Sequence, residues 1–418
     1  MILKPSKHIA IIGGGIVGIT SALEFQRRGN RVTLVDPKQP GRETSYGNTG
    51  VLSDGSVVVS NNPGLRKRLP KLIRKKSNAL NYDLGFVLKR LPWVTRFLSY
   101  CTERHLDHSS QALRALQAHS LRLHLNLIKD AEVENLLRKT GWLKVFRSEA
   151  TYKAYAMELK VFERTGVGHT IYTAEELKQL EPGLNQIFHC GVLLHNACSV
   201  ASPAALCDAY LKLFIEAGGK VLLNSARKIQ HKENWEVELQ TSDPLVADAL
   251  VIAAGPWSAE VVKNLGYKIP MAWERGYHWH LEPGDGPILK RAVHDVDAGY
   301  VMTPQQQGIR VTSGVELADR DAPNDNRQIE KSILSARQAA SLGNKVEETP
   351  WMGRRPTLVD SLPMIGPAPR HPGLWFNFGH QHNGLSTSAA SAEVLADLFE
   401  EKTPNINFAP FRPDRFRI

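Results

Sequence analysis

An α/β fold in two domains is what this sequence predicts, and three observations predict it. The first is an apolar run, Ile9 to Ile12, that leads straight into Gly13-Gly14-Gly15. Apolar residues then recur at helical spacing (Ile16, Ile19, Leu23), and a second apolar run, Val32 to Val35, ends on Asp36. Strands buried on both faces of a parallel sheet read as continuous apolar runs, so this opening is a strand, a helix and a parallel strand. The second is the alternation of residue types at Tyr277 to His280 and Gly308 to Ser313, the pattern of antiparallel strands. The third is length, because 418 residues exceed what one core usually holds.

The elements follow in order. The first helix runs to Arg28, where Gly29-Asn30 supplies a stop. From about Asn61 to Asn196 the chain reads as largely amphipathic helix, with basic and histidine-rich surfaces around Arg90 to Lys129, and so as an insertion. Strand character returns at Val221 to Leu223, Trp235 to Leu239 and Ala249 to Ala254, and Gly255-Pro256-Trp257 breaks the last of these. Gly366 to Gly373 is a Pro/Gly-rich turn, Leu374 to Phe378 a strand and Ser386 to Phe399 the final helix. The partition that results gives residues 1–60, 197–266 and 350–418 to a discontinuous nucleotide domain. Residues 61–196 and 267–349 form a second, α+β domain on a mixed antiparallel sheet.

Composition narrows the function classes. At 42% hydrophobic and 22% charged, the chain has the makeup of a globular protein. No uncharged apolar run nears the roughly 18 residues a spanning helix needs. Met1 to Ile12 runs into the glycines without a small-residue cleavage pattern, which argues against a signal peptide. The four cysteines form no C-x-x-C pair, so no metal site is expected, and reduced, buried thiols in a cytoplasmic protein are. Lysine and arginine (52) outnumber aspartate and glutamate (42), and seven of the twelve residues from Leu65 to Lys76 are basic, interleaved with leucines. That stretch either lies on an anionic bilayer, at the inner face of a bacterial membrane and within reach of a quinone, or is a solvated face; Pro70 interrupts any long helix there. Nucleic acid is not an expected partner, because no helix-turn-helix, zinc or RNA-binding signature is present.

The pattern Gly13-x-Gly15-x-x-Gly18 between strand and helix, with Asp36 eighteen residues beyond, is the adenine dinucleotide fingerprint. Gly13 permits the tight turn, Gly15 lets a diphosphate approach the backbone, and Gly18 permits close helix packing, while the helix N-terminus faces the phosphates. Asp36 would accept hydrogen bonds from a ribose hydroxyl, and its charge disfavours NADP. Glu43 to Gly50 is a polar, glycine-rich loop and not the further βαβ repeat of an NAD domain, which favours FAD.

At these residues the chain resembles the D-amino acid oxidase family of FAD enzymes, and within it the small subunit of bacterial D-amino acid dehydrogenase. The likeness spans nearly the whole chain. It is carried by Ile11 to Gly18 with Asp36, Glu43-Thr44-Ser45, Pro63-Gly64-Leu65 with Leu69-Pro70, and Ala254-Gly255-Pro256-Trp257-Ser258. Gly276-Tyr277, Gly353-Arg354-Arg355-Pro356, Asp360-Ser361-Leu362-Pro363 and Gly379-His380 with Gly384 complete it. The resemblance implies a Rossmann-like FAD domain of the glutathione reductase type and a cap that holds the substrate against the flavin. It also implies oxidation of an amino acid by hydride transfer from Cα, hydrolysis of the imine to a 2-oxo acid and ammonia, and electrons passed to a quinone, a partner subunit or another acceptor.

By the same resemblance Arg355 clamps the substrate carboxylate, its planar guanidinium suiting that bidentate task, with a surface arginine paired to Asp360 as the alternative. Tyr277 and Tyr300 are expected at the substrate cavity, the alternative for Tyr277 being a half-buried strand aromatic. His382 stands where glycine oxidase-like relatives carry arginine, and is either a cavity residue or a solvated loop histidine. Cofactor contacts are expected from Gly13, Gly15, Ile16, Val17, Gly18, Asp36, Thr44, Ser45, Asn48, Arg227, Ala254, Gly255, Gly353, Gly379, Gly384 and Leu385. No cysteine follows Cys207, so FAD is expected to be held noncovalently. Two other functions stay open: oxidation of a secondary amine or imino acid of the sarcosine, glycine, proline or hydroxyproline type, and a catalytically idle flavoprotein acting as an assembly or membrane-surface module.

Overall fold

The computed structural model describes residues 6–73 and 79–418. Its first sheet orders the strands Lys220–Leu223, Arg31–Asp36, His8–Ile12, Ala249–Ile252, Leu374–Phe378 and Met364–Pro367, parallel except for the last pair. Side chains alternate between two covered faces. Ile9, Ile11, Val32 and Leu34 pack against the helices Ile16–Arg27, Pro203–Glu216 and Gly384–Phe399. Ala10, Ile12, Val35 and Ile252 pack against the meander Ala226–His231, Trp235–Leu239 and Leu245–Ala247. Each fully buried aliphatic contributes about 1.5–3 kcal/mol, which explains why these runs carry no charge.

The second sheet joins eleven described strands, mostly antiparallel, around the long strand Met271–Pro283. That strand is buried from Met271 through Leu281 and not on one face only. Tyr277, Trp279 and Leu281 belong to a core shared with Ile329, Ile333 and Ala336 of the helix Arg327–Ala339, and His278 on the opposite face lies against Tyr46 of the loop 43–50.

Several expectations change. Residues 61–196 are largely helical, as expected, but they also contribute strands that were not foreseen: Trp142–Phe146, His169–Thr173 and Cys190–Leu194 belong to the large sheet. Short apolar runs of this kind cannot be told from buried helix by periodicity. Trp351–Leu358, assigned from sequence to the nucleotide domain, pairs antiparallel with Met271–Pro283 in the large sheet. The helix Glu103–Asp130, assigned to the cap, lies against the last helix, with Ser388 Oγ 3.2 Å from His124 Nε2 and Ser120 Oγ accepting from Ala390 N at 3.3 Å. The turn expected at 366–373 begins as the strand Met364–Pro367, the first arm of a hairpin. Pro70 sits inside the helix Pro63–Ile73 instead of ending it. Of the basic stretch, Arg66, Lys67 and Arg68 are exposed, and Arg74, Lys75 and Lys76 lie outside the described residues. All four cysteines are buried and unpaired, and no described helix is long and apolar enough to cross a membrane.

Candidate active site

Two joined cavities hold the chemistry. The first, about 540 Å³, opens at the carboxyl ends of the parallel strands, where a doubly wound sheet binds ligands. Gly13 adopts φ +109°, and a Cβ there would lie 2.5 Å from Ala253 O. A Cβ on Gly18 would lie 1.8 Å from Gly13 O, so the helix can approach the strand only with glycine at that position. Gly15 begins the helix as its N-cap with no side-chain cap, leaving the helix end positive. Ser45 Oγ accepts from Ile16 N at 2.9 Å. Asp36 is fixed at the wall by Gly14 N (2.7 Å) and Lys38 N (2.9 Å), while burial raises its carboxyl from the ordinary value.

Val17, Thr44, Asn48, Arg227, Ala254, Gly255, Gly379, Gly384 and Leu385 line the same cavity. Two of the expected contacts do not. Gly18 is spent on helix packing, and Gly353 lines the second cavity. The helix Gly384–Phe399 also starts without a side-chain cap, and Thr387 N is bonded to Asn383 O, so the amides of its first turn stand at the cavity wall. The loop 43–50 is pinned by two strands of the large sheet: Thr44 Oγ1 donates to Arg354 O (2.8 Å), and Arg310 Nη1 donates to Tyr46 O (2.8 Å) and Asn48 O (2.6 Å). Thr44, Asn48 and Gln381 border both cavities, which makes the second an extension of the first.

The second cavity, about 430 Å³, is floored by the large sheet. Strand register places Trp351 opposite His278, His278 opposite Thr312, Thr312 opposite Val301, Val301 opposite His294 and His294 opposite Lys144, one continuous row on one face. Arg355 stands opposite Glu274 on that face. Its guanidinium crosses over Gly276, where a Cβ would lie 2.4 Å from Nη2. Among the described residues the only hydrogen bond of this guanidinium is a long one, 3.5 Å to Gly314 O, so its donors are available to a ligand. Burial lowers its pKa and the charge of Glu274 opposes that shift. Arg354 points elsewhere, donating to Arg320 O (2.8 Å) beside Asp321 (3.3 Å), and Asp360 pairs with Arg415 (2.8 Å) and not with Arg355.

The two tyrosines border the cavity, as expected, but strand parity turns their hydroxyls away from it, since a one-residue step on a strand reverses the face. Tyr277 is odd in a strand whose even residues face the cavity. Its oxygen accepts from Arg275 Nη2 (2.8 Å) and Asp325 N (3.0 Å), and its hydroxyl donates to Glu316 Oε2 (2.6 Å). Burial and that carboxylate push it up to about 12, and its hydroxyl is not free for a ligand. Tyr300 is opposite Asp295, out of phase with the row, and its hydroxyl is sealed; burial and then Asp295 raise its pKa. Both rings border the cavity from the core side. His382, in contrast, is exposed on the cavity, where burial from outer solvent and the charges of Arg355 and Lys144 push it down to about 4.

The sequence profile of the FAD-dependent oxidoreductases matches residues 8–398. The chain belongs to this family. It is 33% identical to a D-amino-acid oxidase of Bradyrhizobium diazoefficiens, over 99% of this chain and the whole of that one. It is 30% identical to a D-amino acid dehydrogenase of Chromohalobacter salexigens, over 96% of this chain and 97% of that one. Among solved structures, glycine oxidase from Geobacillus kaustophilus shares the fold with a TM-score of 0.75 at 20% identity, over 98% of this chain and 100% of that one.

FAD is the cofactor of this family member, and the residues present fit it. The Gly13 and Gly18 cradle, two uncapped helix ends and the Asp36 carboxylate supply what an adenine dinucleotide requires. Sequence reasoning missed Lys144, Glu274, His294 and Trp351 in the second cavity, and Trp257, His380 and Gln381 in the first. A charge inside an apolar run, Lys144 within Trp142–Phe146 and Glu274 after Met271-Ala272-Trp273, was the available signal.

Proposed function

We propose that the chain oxidises a D-amino acid at Cα, giving an imino acid that water hydrolyses to a 2-oxo acid and ammonia, with the electrons leaving to a quinone or another acceptor. The observation that carries this reading is Arg355, a guanidinium with unspent donors in a cavity continuous with the nucleotide cleft. A planar fork of that kind binds a carboxylate bidentately. FAD, held noncovalently, supplies the hydride acceptor when bound.

The chain's own groups do the rest. An amine entering beside Arg355 and Lys144 is disfavoured as a cation by their charges, so it binds neutral, the form that can release hydride. His382 is uncharged above about pH 5 by virtue of its value near 4 and adds no further repulsion. The free amides at Gly384 and Leu385 and the positive helix end favour negative charge at the wall shared with the nucleotide cleft. Gly15, Gly255, Gly379 and Arg227 hold the cofactor along that cleft. The test is anaerobic mixing of the yellow protein with amino acids of both hands. Bleaching by D-amino acids and not by their mirror images is expected, and bleaching by the L-series or by secondary amines alone would overturn the reading.

For the acceptor side, we propose contact with an anionic membrane. Arg66, Lys67 and Arg68 are exposed, and Leu84, Leu88 and Leu91 on the neighbouring helices are 63%, 61% and 48% exposed. Leucines with basic residues beside them suit a bilayer surface. Flotation with anionic vesicles and none with neutral ones is the expected result.

A further inference from the structure

We propose that the second cavity has a second anion-binding pole at Lys144, so that the preferred amino acid is one whose side chain ends in a carboxylate. This deepens the amino acid reading above and rests on it.

Buried cations elsewhere in the molecule are partnered. Arg275 pairs with Glu316 (3.1 Å), Arg291 with Glu181 (2.8 Å), Arg147 with Asp295 (2.8 Å), and Arg310 donates to two carbonyls and to His280 (3.0 Å). Three cations among the described residues depart from this pattern: Arg90 is stacked over the Trp273 ring at 4.8 Å, away from the second cavity, and the other two line that cavity. One is Arg355, the carboxylate clamp. The other is Lys144, which among the described residues has no carboxylate within 4 Å and no hydrogen-bond acceptor.

Lys144 is held by rings instead. Its Nζ lies 4.8 Å from the Trp142 ring centroid, 5.4 Å from Tyr155 and 5.5 Å from Phe162. Such contacts offset only part of the cost of removing an ammonium from water. A buried cation without an anion is destabilising, and an incoming carboxylate removes that cost. Burial lowers its pKa, which a bound anion would reverse. Glu158 is the carboxyl whose charge Lys144 feels, but its own burial raises its pKa and favours the neutral acid. Arg68, exposed at the same cavity, adds positive charge. With the α-carboxylate on Arg355, the cation left over is Lys144, and His382 feels both charges.

The test has two arms on the FAD-loaded protein. In the first, succinate, glutarate, adipate and the monocarboxylate butyrate are titrated by calorimetry into wild type and Lys144→Met. At least one dicarboxylate should bind roughly tenfold more tightly than butyrate, and that margin should vanish in the variant while Lys144→Arg retains part of it. In the second, aspartate and glutamate are compared with asparagine and glutamine as flavin reductants. The acid should exceed its amide roughly tenfold in kcat/KM in wild type, the ratio should collapse in Lys144→Met, and Glu158→Gln should raise it. Equal use of acid and amide by wild type, or a folded, yellow Lys144→Met with an unchanged ratio, would overturn the second pole. Failure of every amino acid to bleach the flavin would instead overturn the amino acid reading, and the dicarboxylate titration would still report on Lys144 separately.

Discussion

The phosphate end of the nucleotide cleft takes its chemistry from main-chain groups near Gly13 and Gly15, with Gly18 for the packing and one acid at Asp36, all in the first 36 residues. The substrate cavity draws on seven strands spread between Trp142 and Leu358. The first is a local motif whose parts are adjacent in the chain, and the second exists only after distant strands have paired in register. Damage to the first should therefore cost the cofactor and the fold together, and damage to the second should cost substrate use alone.

The largest effect is expected from Gly18→Ala. A methyl group 1.8 Å from Gly13 O forces the helix off the strand, a backbone clash at or above the roughly 1–3 kcal/mol typical of overpacking. The purified variant should be colourless and melt earlier; a yellow variant of normal stability would break the comparison. Arg355→Met comes next. Loss of a charged hydrogen-bonding partner, about 1.5–3 kcal/mol, should raise KM by roughly 100-fold with FAD still bound. Gly276→Ala sharpens the same point, because its methyl meets the movable end of Arg355 at 2.4 Å and not backbone. KM should rise roughly tenfold at an unchanged melting temperature.

The pH dependence is smaller. Burial pushes His124 and His382 down to about 4 and His294 and His380 to about 3, below the roughly 6.5 of an unfolded chain. These neutral imidazoles favour the folded state above pH 6.5, and the benefit is lost as pH falls toward 4, because the unfolded chain takes up protons first. The melting temperature should fall by several degrees between pH 7 and pH 4.5, and a flat profile would contradict these assignments. The smallest catalytic effect belongs to Tyr277→Phe. It strips a partner from Arg275 and Glu316, at about 1–3 kcal/mol of stability, yet KM should stay within roughly threefold. A large KM change would return Tyr277 to the substrate.

The same contrast explains what could be read in advance. The run Ile9 to Asp36 announces its strand, turn and helix because each part answers to residues at most a few positions away. Arg355 and His382 were found through motif resemblance, and both line the cavity. Tyr277 was expected at the cavity and borders it, but that its hydroxyl turns to Arg275 and Glu316 was not legible, since register turns on which residues meet across strands and spacing within one strand does not fix that. Lys144 was missed because it is a surface charge by type and a buried one only by pairing with His294.

By itself the amino-acid sequence determined the parallel nucleotide sheet, the glycine cradle and the acid at its rim, because these depend on local conformation and on contact between neighbours. Tertiary structure alone decided that Trp351–Leu358 joins the cap sheet, which tyrosine face meets the cavity, and that Arg355 and Lys144 share one enclosed space. The physical reason is that burial and unpaired charge are properties of the assembled packing, and no stretch of chain contains them alone.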